Sequence, residues 1–85
     1  MDASDSQKFV ERFAEVVEVP PELVFLNTRF RDEVPYWSSL LGFGLLTMIQ
    51  MDYSVVLPLE EFMKAGTVDD LRQAVWRHQQ SSAQS

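Results

Sequence analysis

The segment Ser38-Ser39-Leu40-Leu41-Gly42-Phe43-Gly44-Leu45-Leu46-Thr47-Met48-Ile49-Gln50-Met51-Asp52-Tyr53 decides the fold. Leu40, Phe43, Leu46, Ile49 and Tyr53 recur at spacings of three or four, which predicts a helix over Ser39–Tyr53 with one continuous apolar face. Ser38 stands where an N-cap is expected. Gly42 and Gly44 each cost about 1 kcal/mol against Ala in a helix interior, so either a neighbour needs bare backbone there or a well-packed helix tolerates both. The apolar run from Leu40 to Ile49 falls well short of the roughly 20 residues that span a bilayer, so no stable membrane insertion is expected.

Upstream, Phe9, Phe13, Val16 and Val17 make one face of a helix over Ser6–Val17, which Pro20-Pro21 stops. From Val19 to Ser38 no period persists. The stretch reads as a long connection with Leu23, Val24, Phe25, Leu26 and Phe30 as apolar anchors and a short helical turn at Pro21-Glu22-Leu23. Loops beyond about 12–15 residues are uncommon in a small domain and usually functional.

Downstream, Ser54 to Leu57 is an apolar connection too isolated to pair as a strand. Leu59–Ala65 reads as a short helix with Glu60 and Glu61 in its first turn, Lys64 near its end and Gly66 closing it. Thr67-Val68-Asp69-Asp70 resembles a capping box. Beyond it Val68, Leu71 and Val75 face inward, with Ala74 and Trp76 beside them. The expectation is all-α: a small four-helix bundle of three main helices and one short one, with a long loop between the first two. It occupies residues 6–78, between disordered ends at 1–5 and 79–85.

The chain has 85 residues, 13 acidic against 7 basic, one His and no Cys, for a formal net charge of −6. That length fits one domain burying only about 60% of its unfolded surface. The absence of Cys excludes disulfides, thiolate nucleophiles and Cys-ligated zinc, and it suits a reducing, cytoplasmic setting. An acidic chain without a basic stripe is a poor nucleic-acid binder. Met1-Asp2-Ala3-Ser4-Asp5 lacks the organisation of a signal peptide.

Enzyme chemistry finds little support. His78 borders the polar tail and reads as an exposed bystander. Glu60-Glu61 and Asp69-Asp70 open helices, where dipole stabilisation accounts for them. No phosphate loop, nucleophile elbow, catalytic set or metal-ligand cluster is expected. Ser39 is more suggestive, because a phosphate on its hydroxyl would meet the positive end of a helix after a long loop. Taken alone, Ser38 and Ser39 are still explained as capping residues.

With these residues in place, the chain resembles the acyl carrier proteins. In Ser38-Ser39-Leu40, Ser39 and Leu40 match the serine and leucine of that family's Asp-Ser-Leu attachment motif, and Ser38 replaces the aspartate. Thr28-x-Phe30 matches its loop, Leu45 a leucine of the following helix, and Tyr53 an aromatic position. Leu57-Pro58 and Thr67-Val68 match the residues before its last two helices. The likeness runs from about Phe9 to Trp76. The Trp37-Ser38-Ser39-Leu40 form resembles free-standing bacterial carriers of specialised pathways, such as surface-polysaccharide or secondary-metabolite clusters.

The resemblance implies that a phosphopantetheinyl transferase moves 4'-phosphopantetheine from coenzyme A to Ser39. The arm's thiol would hold acyl or aminoacyl thioesters for acyl-activating, acyltransferase or synthase enzymes. The protein would then be a monomeric substrate of other enzymes rather than a catalyst. Phe43, Leu46 and Phe62 would shelter the acyl chain. Trp37, Leu40, Leu41, Gly44 and Met48 would form the partner-docking surface, with Leu41, Gly44, Thr47 and Met48 at outer positions where the family carries acids. Ser38 removes a charge beside the attachment site, and the loop Arg31 to Tyr36 is about one residue longer than the family's. The alternative is a carrier-like module that binds partners without being modified.

Overall fold

Phe9, Phe13 and Val17 stand one turn apart, and all three are buried on one face of α1 (Ala3–Val17). The computed structural model describes residues 3–83, with side chains described at 6–80. Of the ends expected to be disordered, residues 3–5 belong to α1 and 79–83 to the last helix, while 1–2 and 84–85 lie outside the described residues. Helix α1 closes where Glu18 adopts a left-handed φ of 58° and the Val19 N–H turns back to the Ala14 carbonyl at 3.0 Å. This is a Schellman-type ending reached without glycine. A single 3-10 turn at Pro21–Leu23 follows, as the sequence suggests.

A one-turn helix, α2 (Phe30–Glu33), interrupts the long connection where no helix was expected. The Arg29 carbonyl accepts the N–H groups of Asp32 and Glu33, and the Arg29 N–H donates to Glu33 Oε2 at 2.7 Å. One turn of mostly charged residues leaves no periodic trace in a sequence. The expected apolar anchors are also revised. Val24 and Phe30 are buried, whereas Leu23, Phe25 and Leu26 face solvent. Hydrogen bonds hold the loop in their place: Thr28 Oγ1 accepts the Phe25 N–H at 2.8 Å, and the Leu26 and Thr28 carbonyls accept from Asp69 and Val68.

Helix α3 (Ser39–Tyr53) has the predicted bounds and ends at Ser54 in the left-handed region. Its buried face differs from the expected one. Gly42, Leu45, Met48 and Ile49 point inward, while Leu40 and Phe43 are exposed and Leu46 and Tyr53 half-buried. The helix is apolar nearly all round, so spacing alone fits two stripes equally well. The choice falls to packing against α1, the most extensive helix contact. Gly44 lies on that contact, and a Cβ there would come within 3.2 Å of Val16 Cγ1.

Helix α4 (Leu59–Lys64) carries Glu60 and Glu61 in its first turn and Lys64 in its last. Ala65 leaves it in an extended conformation and no glycine takes a positive φ, so Gly66 does not supply the expected left-handed cap. Helix α5 (Val68–Ala83) opens with the predicted capping box. Asp70 Oδ2 accepts from Gly66 and Thr67 N–H, and Thr67 Oγ1 accepts from the Asp70 N–H. Val68, Leu71, Ala74 and Val75 are buried, while Trp76 is exposed rather than beside the core.

The result is a small all-helical bundle: long helices α1, α3 and α5, short α4, and a connection that carries a 3-10 turn and the one-turn α2, with no strand among the described residues. Phe30 joins these parts. It is fully buried and meets Phe13, Trp37 and Phe62 at ring-centroid distances of 5.6, 5.3 and 5.9 Å. No described helix is long and apolar enough to cross a membrane.

Candidate functional site

Tyr36, at φ 58° and almost wholly exposed, turns the chain just before α3. Trp37 then packs on Phe30 and fixes where the next helix begins. Ser38 occupies the N-cap in an extended conformation, and its carbonyl accepts from Leu41 and Gly42 at 3.1 and 3.3 Å. Its side chain makes no capping bond, contrary to the usual role of a serine at this position. Ser39 is the first residue of the helix, and both serines are exposed.

A cleft of about 310 Å³ lies beside Ser39, between α3 and α4. Helix α3 contributes Ser39, Gly42, Phe43 and Leu46, and α4 contributes Leu59, Phe62 and Met63. Trp37 and Arg31 complete the wall. Phe43, Leu46 and Phe62, chosen from sequence as sheltering residues, therefore share one cleft with the candidate attachment serine. A Cβ at Gly42 would lie 3.4 Å from the Phe62 ring, so the missing side chain keeps the cleft floor open. A broader hollow of about 760 Å³ lies between α1 and residues 21–26 and has no wall in common with Ser39. The smaller cleft is the better candidate because it adjoins an exposed serine hydroxyl.

The expected docking residues separate. Leu40 is 78% exposed, Trp37 and Leu41 are half-buried against the core, and Gly44 packs towards Val16. Met48 is only 3% exposed and is withdrawn from the surface, because it lies on the stripe that meets the core. The exposed apolar residues of the cleft wall are Phe43, Leu59 and Met63, and Leu40 is exposed next to Ser39 in sequence. Asp52, the single acid of α3, is tied to Arg12 of α1 through Arg12 Nε.

Two features escaped the sequence, one in the cleft wall and one outside it. Arg31 donates to the Phe62 carbonyl at 2.7 Å and to the Ala65 carbonyl, and its guanidinium lies 4.7 Å from the Phe30 ring centroid and 5.2 Å from that of Phe62. Its partners are backbone atoms of a distant helix, which leave no mark in a residue pattern. His78 is also no bystander. Its Nε2 lies 2.6 Å from Glu61 Oε2, joining α5 to α4.

No protein-family model, curated protein or solved structure matches the chain.

Proposed function

We propose that the chain is an acyl carrier protein that bears 4'-phosphopantetheine on Ser39. The observation that carries this reading is the adjacency of an exposed serine, at the first position of a long helix, to an apolar cleft. The residues fit such a group: the hydroxyl is open to a modifying enzyme, and Phe43, Leu46 and Phe62 offer apolar surface. When bound, the group supplies the thiol that this Cys-free chain lacks.

In this reading Ser39 Oγ forms the new bond to phosphorus and gives up its proton as the nucleotide part of coenzyme A departs. The backbone N–H groups that open α3 at Ser39 and Leu40, ahead of the first bonds to the Ser38 carbonyl, favour negative charge at that position. Apolar residues lining the cleft exclude water from an acyl chain folded onto them. The partners are then a phosphopantetheinyl transferase and acyl-activating, acyltransferase or synthase enzymes of a specialised cytoplasmic pathway, met by a monomer.

Incubation with coenzyme A and a transferase, followed by intact-mass measurement, tests the proposal. The wild-type chain and Ser38→Ala gain the group, and Ser39→Ala does not. An equal gain in Ser39→Ala, or none in any chain with several transferases, overturns it. The exposed Leu40, Phe43 and Met63 also suit an unmodified interaction module. That reading predicts that Ser39→Ala keeps its biological function while Leu40→Asp loses it.

A further inference from the structure

Arg12, Arg29, Arg72 and Arg77 each approach a carboxylate within 4.0 Å. Arg31 differs: among the described residues no ion pair includes it, although the chain carries a net charge of −6. Its guanidinium is held firmly by two carbonyls and two ring faces. These partners offer only partial negative charge, so they fix its position and leave it without a full counter-charge. Of its five N–H donors, the two carbonyls occupy two. The rest of the cleft wall is apolar apart from Ser39, and it contains no acid. A cation there attracts an anion more strongly than it would in open water, because the surroundings screen it less.

A structural role explains the clip between α2 and α4, where a cation complements the C-terminal end of a helix, but it leaves three N–H donors of Arg31 without a use in the wall of the serine's cleft. We propose that Arg31 makes this cleft an anion-binding site, receiving a phosphate or carboxylate oxygen of a group attached at Ser39. The existence of an attached group rests on the carrier reading. The two sources of that oxygen are a phosphate on Ser39 itself and a carboxylate at the far end of the cargo.

The Cys-free chain allows a test that needs no transferase. Ser39→Cys introduces a single thiol, which is capped as a mixed disulfide with thioglycolate or its neutral amide, and with mercaptohexanoate or neutral mercaptohexanol. Urea unfolding of each is measured with Arg31 and with Arg31→Gln. Any effect of the helix start is common to both backgrounds and cancels in the cycle. The expected result is that an anionic cap lowers the unfolding equilibrium constant, relative to its neutral counterpart, by roughly three- to tenfold more with Arg31 than without it.

Coupling to the short thioglycolate identifies an anion at the attachment atom, as a phosphate would be. Coupling to mercaptohexanoate identifies a carboxylate on the cargo. No coupling with either overturns the proposal. If Arg31→Gln does not fold, the Arg31 Nε–Hε resonance in the Arg31-containing proteins decides instead. It shifts with the carboxylate caps and not with the neutral ones, and an unmoved resonance overturns the proposal equally. Failure of coenzyme A-dependent modification would sink the carrier reading and leave this result standing.

Discussion

The Thr28 carbonyl accepts the Val68 N–H at 3.0 Å, tying the loop before α2 to the first turn of α5. The neighbouring Leu26 carbonyl accepts from Asp69 at 2.8 Å, so loop backbone satisfies donors that a helix start leaves over. Thr28 itself is buried and spends its hydroxyl on the Phe25 N–H. Thr28→Val keeps the shape and removes the acceptor. It is expected to cost about 1 kcal/mol in urea unfolding, the worth of a part-buried hydrogen bond. Thr28→Ser should keep most of that stability, and equal losses in both variants would show that packing, not the hydrogen bond, holds the loop.

The capping box at α5 makes stability depend on acid. Backbone N–H groups of Gly66, then Thr67, hold the Asp70 carboxyl below its ordinary value. A folded-state pKa below the unfolded one means that the contribution is complete above the unfolded pKa and vanishes as pH falls through the folded one. Chemical denaturation between neutral and strongly acidic pH should therefore show a loss that is smaller in Asp70→Asn. Thr67→Ala should cost about 1 kcal/mol at neutral pH, because it leaves the Asp70 N–H uncapped. An acid limb identical in wild type and Asp70→Asn would remove Asp70 from the explanation.

The two apolar stripes of α3 respond oppositely to substitution. Met48 is buried at 3% exposure, and Met48→Ala should destabilise by about 2–5 kcal/mol through the cavity it leaves. Leu40 stands in solvent at the opening of the same helix, and Leu40→Ser should change stability by no more than about 0.5 kcal/mol. A partner-binding assay should reverse that order at equal folded concentration, with Leu40→Ser weakening the complex. A large stability loss in Leu40→Ser would mean that the inward face is the one first suggested by spacing.

Much of this fold is written in local patterns. The bounds of α3, the Phe9–Phe13–Val17 face and the Thr67–Asp70 box each depend on residues within a few positions of one another. What the pattern cannot decide is which side of an all-round apolar helix meets its neighbour. Met48 and Leu40 are chemically equivalent until α1 lies against one stripe. The site divides in the same way. Ser39, Phe43, Leu46 and Phe62, singled out through the family resemblance, line one cleft. Arg31 was not singled out, since its bonds run to carbonyls 31 and 34 residues away.

The glycines of α3 separate a packing role from a cleft role. Gly44→Ala would bring its Cβ within 3.2 Å of Val16 Cγ1, so α1 must yield by a few tenths of an ångström. The resulting strain offsets the helix-propensity gain of about 1 kcal/mol, and no net stabilisation is expected. At Gly42 the nearest atom is the edge of the Phe62 ring at 3.4 Å, an ordinary contact. Gly42→Ala should therefore stabilise the fold by up to about 1 kcal/mol in thermal or urea unfolding. It should also narrow the floor beneath Phe43 and Leu46, so that an acyl chain attached at Ser39 raises the melting temperature less than in the wild type. Val16→Ala combined with Gly44→Ala should be less destabilising than the sum of the two single changes, because relieving one contact makes room for the other. Strict additivity in that cycle would place the constraint on Gly44 somewhere other than Val16.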